Sequence, residues 1–461
     1  MIYTYDDAIA YLERLVAAPV HTAPETKPIR ARALLARAGD PHERFATLHV
    51  TGSAGKGSTA TLSAGILRAA GYRTGLFTSP HLQDYTERIA VDGAPIPRAD
   101  WARLLERLRP AIEEMADNRA PGYALGRPAF IEVLWALAAL YFAERGVDVA
   151  VVEVGRGGRY DPTIVNSARV GVITNVSLEH AELLGPTVAD IARHKAGIVK
   201  PGGIVVTAAA DRAALQVIAD ECARQEATLW RVTAEGSSPA ERGEVRYADD
   251  GASFRVTTPA RRHDDLRLAL LGRHQRVNAA CAVGAVDALD LLGIVRADEA
   301  AVRRGLATTR VPGRLEWVGG AAGVGGNPPA LLDGAHTADA ARTLAAALRE
   351  VLPEKLGGQD ARPVLLLGIL GDKDIAAMVG ALAPLAAAVV VTEPPWERRA
   401  GAAAAVAEEA RRRLPASDVA LIPDYAMALA RARELARARD VPLVVTGSLI
   451  LIGAVRPLLL P

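Results

Sequence analysis

From Phe45 onward the chain alternates between short apolar runs of strand length and longer amphipathic runs of helix length. Phe45-Ala-Thr-Leu-His-Val50 predicts a strand, followed by a glycine-rich turn and a helix through Ala70 that Gly71 stops. Arg73 to Thr78 predicts the next strand. Pro128 suits the first turn of a helix running to Arg145, with Gly146 at its end. Val147 to Val154 and Arg169 to Thr174 are two more strand-length runs, and a helix is expected from about Thr187 to Ala196. Such alternation predicts a doubly wound, mostly parallel sheet covered by helices on both faces, an α/β fold. Between Ala209 and Leu268 the pattern turns polar and mixed, which predicts an antiparallel or irregular extension of the same domain. Helical pattern resumes at His274 to Leu292 and at Asp298 to Ala307.

Around Val311-Pro-Gly-Arg314 a junction is expected, with Pro312-Gly313 as its hinge, dividing the chain into domains 1–309 and 310–461. Strands near Ala330–Leu332, Val364–Leu367, Ala388–Val391 and Val441–Val445, separated by alanine-rich helices, predict a second, smaller α/β domain. A length of 461 residues exceeds what one core serves.

Charge narrows the partners. The 54 basic residues balance 53 acidic ones, leaving no field to grip nucleic acid or an anionic membrane. Neither partner is expected, and an anionic ligand must be held by a local site. The most apolar stretch, Val133 to Phe142, is far shorter than the ~20 residues that span a bilayer. Cys222 and Cys281 are too few for a disulfide framework, which fits a reducing compartment. The first residues show no basic segment leading into an apolar run, so no secretory leader is expected and the location is read as cytoplasmic.

Candidate chemistry begins at Gly52-Ser53-Ala54-Gly55-Lys56-Gly57-Ser58, between a predicted strand and helix. Small residues let backbone N–H groups approach phosphate oxygens, and the helix N-terminus adds partial positive charge. Lys56 suits terminal phosphates and Ser58 a magnesium ion. The spacing departs from the standard phosphate loop, with Val50 at the first glycine position and Gly57 between Lys56 and Ser58, so a glycine-rich turn without nucleotide stays open. Thr78-Ser79-Pro80-His81, Glu153 and Glu179-His180 all follow predicted strands, where open α/β sheets bind ligands. Ser79, Glu153 and His180 beside the loop suit a magnesium site, the imidazole being its less usual member. Each also reads as structural: a turn at Ser79-Pro80, a paired acid at Glu153, a capping donor at His180.

In order, these segments resemble the folylpolyglutamate synthase and dihydrofolate synthase family, a branch of the Mur ligases. The resemblance rests on His49-Val-Thr-Gly-Ser-Ala-Gly-Lys-Gly-Ser58, Thr78-Ser-Pro-His81, Glu87-Arg-Ile89 and Glu153-Val-Gly-Arg-Gly-Gly-Arg159. It continues through His180 to Gly185, Lys195 to Gly202, Gly272-Arg-His-Gln275 with Asn278, and Pro312-Gly-Arg-Leu-Glu316. Asp333-Gly-Ala-His336, Gly368 to Asp374 and Thr446-Gly-Ser-Leu449 complete it over nearly the whole chain. It implies a smaller Rossmann-like second domain that binds the amino acid and closes over ATP. It also implies an ATP-dependent ligase that adds L-glutamate to tetrahydrofolate, to dihydropteroate or to both, through an acyl phosphate.

The same resemblance implies site roles. Gly52, Ser53, Gly55, Lys56, Gly57 and Ser58 hold ATP phosphates, with Asn278, Arg314 and Asp333 also at the nucleotide. Ser58, Ser79, Glu153 and His180 supply contacts across two magnesium sites. Lys195 matches a lysine carbamylated in the family; by itself it also reads as a helix C-terminal cation ahead of Gly197. Lys56, Lys195, Asp333 and His336 form the catalytic set, while His336, Arg399 and Ser448 hold the incoming amino acid. Phe130 and Asp161 fall on the pterin side, as a stacking face and a hydrogen-bonding acid. The sequence departs from the family at Ala54, Pro162, Ile164 and Thr337, which bears most on the acceptor pocket. A Mur-type ligase for a non-folate acceptor and a non-catalytic nucleotide-binding regulator are the alternatives. A monomer is expected.

Overall fold

The computed structural model describes residues 2–17, 23–117, 125–179, 181–237, 243–319, 328–356, 362–396 and 402–460. The chain divides into two compact units: Met1–Ala269 with Gln275–Thr309, and Leu270–His274 with Arg310–Pro461.

The first unit is built on eleven strands: β1 (Ala46–Thr51), β2 (Thr74–Phe77), β3 (Ile89–Val91), β4 (Ala94–Pro95), β5 (Val149–Glu153), β6 (Val170–Ile173), β7 (Ile204–Thr207), β8 (Thr228–Ala234), β9 (Glu244–Asp249), β10 (Phe254–Thr257) and β11 (Arg262–Leu266). Their order in the sheet is β11-β10-β9-β8-β7-β6-β1-β5-β2-β3-β4. From β2 to β9 neighbours run parallel, and the antiparallel pairs lie at the two edges. The helices are α1 (Tyr5–Ala17), α2 (Thr26–Arg37), α3 (Lys56–Ala69), α4 (Arg98–Ala116), α5 (Phe130–Glu144), α6 (Ala181–Leu184), α7 (Val188–Ala196), α8 (Arg212–Arg224), α9 (His274–Leu291) and α10 (Glu299–Thr308). The α/β class predicted from the alternation is the observed one. The polar stretch after Ala209 is different: it opens with α8, and β8 and β9 extend the parallel sheet before β10 and β11 turn antiparallel. Ala214, Ile218 and Cys222, each four residues apart, are the buried face of α8, with Leu215 and Val217 half-buried beside it and polar residues beyond.

β1 lies between β5 and β6, with Val50 beside Glu153 and Thr51 beside Ile173. That register sets the loop after β1, the acid ending β5 and the turn after β6 side by side at the carboxyl edge, the usual ligand position of such sheets.

Helix α5 is apolar all round from Val133 to Phe142, because other helices and the sheet enclose it. Its first turn holds a buried ion pair in which Arg30 of α2 donates twice to Glu132, at 2.9 and 2.8 Å. Glu132 also accepts the Ala129 N–H at 2.9 Å, capping the helix. Burial raises the Glu132 carboxyl above the usual range, and Arg30 opposes that shift. Arg30→Ala leaves this carboxyl buried without its cation, and a loss of about 3–5 kcal/mol is expected in denaturant unfolding. An unchanged unfolding midpoint would overturn that account.

The second unit is a six-stranded sheet of β12 (Glu316–Val318), β13 (Ala330–Leu332), β14 (Val364–Leu367), β15 (Ala388–Val391), β16 (Val419–Leu421) and β17 (Leu443–Thr446), ordered β12-β13-β17-β14-β15-β16. Only β12 is antiparallel. Helices α11 (Ala338–Lys355), α12 (Ile375–Leu382), α13 (Ala403–Arg411), α14 (Tyr425–Arg439) and α15 (Leu449–Leu459) complete it. The excursion Leu270–His274 belongs here because Leu271 packs against this core. Among the described residues, no helix is long and apolar enough to cross a membrane.

Candidate active site

The loop Gly52–Gly55 leaves β1 and enters α3 at Lys56. Gly55 precedes the helix at φ +79°, and a Cβ there would stand 2.3 Å from Asn278 Oδ1. Only glycine satisfies both the left-handed backbone and that contact. Asn278, in the second turn of α9, is nearly buried and donates to Gln275 Oε1 at 2.9 Å. The loop is held from its other side by Asn175, whose Oδ1 accepts the Ser53 and Ala54 N–H groups at 3.1 and 2.7 Å. Thr174 donates its hydroxyl to the Ala54 carbonyl at 2.6 Å. Ala54 therefore contributes its backbone here, which any side chain permits. Lys56 Nζ folds back to the Gly52 carbonyl at 2.8 Å.

Glu153 ends β5, is 3% exposed, and accepts the Ser79 N–H at 2.9 Å. Gly57 in the first turn of α3 lies close enough that a Cβ would be 3.6 Å from its Oε2. Ser58 is buried on the same helix. Ser58, Ser79 and Glu153 present hard oxygens, the donor type magnesium takes. His180 lies outside the described residues. Among the described residues no group of three His, Cys, Asp or Glu side chains forms a metal cage. An ion held by hydroxyls, one carboxylate, water and phosphate fits such a donor set.

Arg88 stands beside this acid. Burial lowers its guanidinium, while Tyr85, Glu153 and Glu87 favour its charge. Its Nε donates to His81 Nδ1 at 2.8 Å, and its carbon lies 5.7 Å from the Phe130 ring centre and 5.6 Å from that of Tyr85. Phe130 and Tyr85 meet edge to face at 6.2 Å. Burial pushes the His81 imidazole down to about 4.

Asp161 is buried, with both oxygens occupied. Oδ2 accepts the Gly155 and Arg156 N–H groups at 3.1 and 3.2 Å, and Oδ1 accepts from Thr163 N and Oγ1 at 3.0 and 2.5 Å. Four donors match the lone-pair sites of a carboxylate. Pro162 opens the one-turn helix that follows, and the Ile164 carbonyl accepts from Lys200 Nζ at 2.7 Å. A Cβ at Gly158 would stand 2.7 Å from the His194 carbonyl, so this loop can lie on the C-terminal end of α7 only with glycine there.

Lys195, in the last turn of α7, is fully buried, and its Nζ lies 2.6 Å from Glu179 Oε1. Burial pulls its pKa down to about 8, with Glu179 opposing and Lys56 assisting. Of the described residues, the phosphate loop, Ser58, Ser79 and Glu153 thus lie at one sheet edge, with Phe130 and Asp161 on its flank.

In the second unit, Asp333 accepts the Leu315 and Ala335 N–H groups at 2.9 and 3.0 Å. Burial raises its carboxyl, and Arg314 and His274 oppose that shift. His336 Nδ1 lies 2.8 Å from the Gly334 carbonyl. A carbonyl only accepts, so Nδ1 carries the proton. Ser448 caps α15 through its hydroxyl, accepting the Ile450 N–H at 3.1 Å. Thr337 caps α11 in the same way, its hydroxyl accepting the Ala340 N–H at 3.2 Å, a place where threonine ranks somewhat below asparagine. Arg399 lies outside the described residues. Sequence reading placed Glu179 among the strand-end candidates without its Lys195 partner, and did not single out Asn175, Arg88, Tyr85 or His274 as site residues; each of these enters through a tertiary contact that local pattern does not show.

Residues 131–286 match the Mur ligase middle domain and residues 313–449 the Mur ligase glutamate ligase domain, so the chain is of Mur ligase class. It is 35% identical over 366 residues to the dihydrofolate synthase/folylpolyglutamate synthase of Bacillus subtilis, covering 78% of this chain and 79% of that one. It is 33% identical over 459 residues to the folylpolyglutamate synthase of Lacticaseibacillus casei, covering 99% of each. Its fold is similar to that of Mycobacterium tuberculosis folylpolyglutamate synthase complexed with ADP and AMPPCP, at TM-score 0.82, 30% identity and 99% coverage of both chains. The chain belongs to the folylpolyglutamate synthase/dihydrofolate synthase family.

Proposed function

We infer that the chain is an ATP-dependent ligase that joins L-glutamate to a folate carboxylate. The observation that carries this reading is the phosphate loop set beside Glu153 and the buried Lys195–Glu179 pair at one sheet edge, in a chain of this family. The acceptor carboxylate attacks the γ-phosphorus of ATP, ADP leaves, and the acyl phosphate then meets the neutral amine of glutamate. The tetrahedral adduct expels phosphate, leaving an amide. Phosphoryl transfer needs positioning and charge neutralisation more than covalent help. The loop amides and Lys56 Nζ do this work once Lys56 leaves the Gly52 carbonyl for phosphate.

Ser58, Ser79 and Glu153, with His180, would hold magnesium, which supplies charge neutralisation at the phosphates. Asn278 orients the loop on the nucleotide side, and Phe130 with Tyr85 offers aromatic faces to the pterin. Asp333, Arg314, His336, Ser448 and Arg399 serve the nucleotide and the amino acid.

Lys195 is read as a carbamate. Its neutral amine adds to carbon dioxide, an N–C bond forms, and one proton passes to solvent. The product would be an anion facing Glu179, a repulsion that a bound divalent cation would offset. Because only the neutral amine reacts, uptake should climb as pH rises through about 8. Labelled bicarbonate followed by carbon NMR from about pH 6 to about pH 9 should show a carbamate signal growing with pH. Absence of that signal throughout would rule the modification out.

The deciding assay is phosphate release with ATP, magnesium and glutamate, adding dihydropteroate and tetrahydrofolate separately. Release with tetrahydrofolate alone marks a polyglutamylating enzyme, with dihydropteroate alone a dihydrofolate synthase, and with both a bifunctional one. Silence with both, while ATP still binds, would sink the folate reading.

A further inference from the structure

His49 is a fully buried side chain on β1, three residues before the phosphate loop, and the mechanism above gives it no task. Its Nε2 lies 2.8 Å from Thr163 Oγ1, and that hydroxyl donates to Asp161 Oδ1 at 2.5 Å. A hydroxyl has one hydrogen. Given to Asp161, it leaves Thr163 only lone pairs for the imidazole, so Nε2 must be the protonated nitrogen. His49 Nδ1 has no hydrogen-bond partner among the described residues. A second ring proton there would be a buried, unpaired donor. Burial, with Lys200 adding to it, holds the ring neutral, its pKa down at about 3.

The relay ends on backbone. Asp161 clamps the N–H groups of Gly155 and Arg156, with only Val154 between them and Glu153 at the end of β5. A second tie from the same strand, Thr51 Oγ1 to the Gly157 carbonyl at 2.6 Å, fixes the middle of that loop.

We propose that His49 is a positioning residue for the ligase reaction: through the Thr163 hydroxyl and the Asp161 carboxylate it holds the Gly155–Asp161 loop, and with it Glu153, in register with the phosphate loop. This rests on the function inferred above. Asp161 shapes its loop by accepting four donors of its own segment.

The test compares His49→Leu, His49→Gln, Thr163→Val, Thr163→Ser and the His49→Leu/Thr163→Val pair in the full chain, by steady-state phosphate release and by binding of a fluorescent ADP analogue. His49→Leu and Thr163→Val should each lower kcat about ten-fold while ADP affinity shifts less than about two-fold. His49→Gln keeps an N–H donor and Thr163→Ser keeps the hydroxyl, so both should retain most turnover. The double variant should fall no further than the worse single one, because both break one relay. Native-like turnover in His49→Leu, equal losses in His49→Gln and His49→Leu, or multiplying losses in the pair would overturn the proposal. If His49→Leu fails to fold, the contrast of Thr163→Val with Thr163→Ser decides alone. If the native chain is silent with every folate, the functional reading has failed instead. The relay is then judged on the unfolding midpoints of the Thr163 and His49 variants, where additive shifts would overturn it.

Discussion

Replacing Lys56 with alanine is expected to lower turnover about a thousand-fold, a loss near 4 kcal/mol in transition-state stabilisation. The cation sits in the first turn of α3, and among the described residues its partners are carbonyls of its own loop, Gly52 at 2.8 Å and Ser53 at 3.5 Å. Those bonds are replaceable by water, so the fold should lose little, within about 0.5 kcal/mol. The charge moving onto phosphate oxygens during transfer has no such replacement. Parallel measurement of kcat and of the unfolding midpoint separates the two. Full activity in Lys56→Ala would mean that the loop does not hold the reacting phosphates.

Glu153→Gln is expected to lower kcat by a factor of about 10²–10³ and to raise the magnesium concentration needed for half-maximal rate. Glutamine keeps the shape and an oxygen to accept the Ser79 N–H, so the β5 edge stays in place. What it removes is one negative charge beside Arg88, leaving that buried cation less compensated. A modest loss of stability, about 1 kcal/mol, should accompany the kinetic effect. A magnesium titration that superimposes on the native one would assign Glu153 to fixing Arg88 and Ser79 rather than to the ion.

The sequence announced what depends on local order. Strand-length apolar runs located β1, β2, β5 and β6, and Glu153 stood out as a carboxylate closing an apolar run at the edge where such sheets bind ligands. The glycine run after β1 was legible for the same reason. Contacts made across the sheet edge were not. Asn175 holds the phosphate loop from more than a hundred residues away, and nothing around it marks that task. Arg88 lay inside a recognised motif, but its place over Phe130 follows from how α5 packs. The stretch after Ala209 misled because α8 fully buries few residues and β8 and β9 are largely half-buried without alternation, so the polar residues mask a regular pattern. β12 and β16 are three residues each, too short to show alternation.

The chain passes between its two units three times, after Ala269, after His274 and after Thr309. Anyone transplanting the second unit into a relative would therefore have to carry two separated pieces of sequence. A graft beginning at Arg310 leaves behind Leu271, which packs in that core, and His274, which faces Asp333. Chimeras cut at the obvious single seam would inherit a gap in that core where Leu271 packs and an acid stripped of the imidazole beside it, and would misreport a grafting fault as incompatibility between the parents.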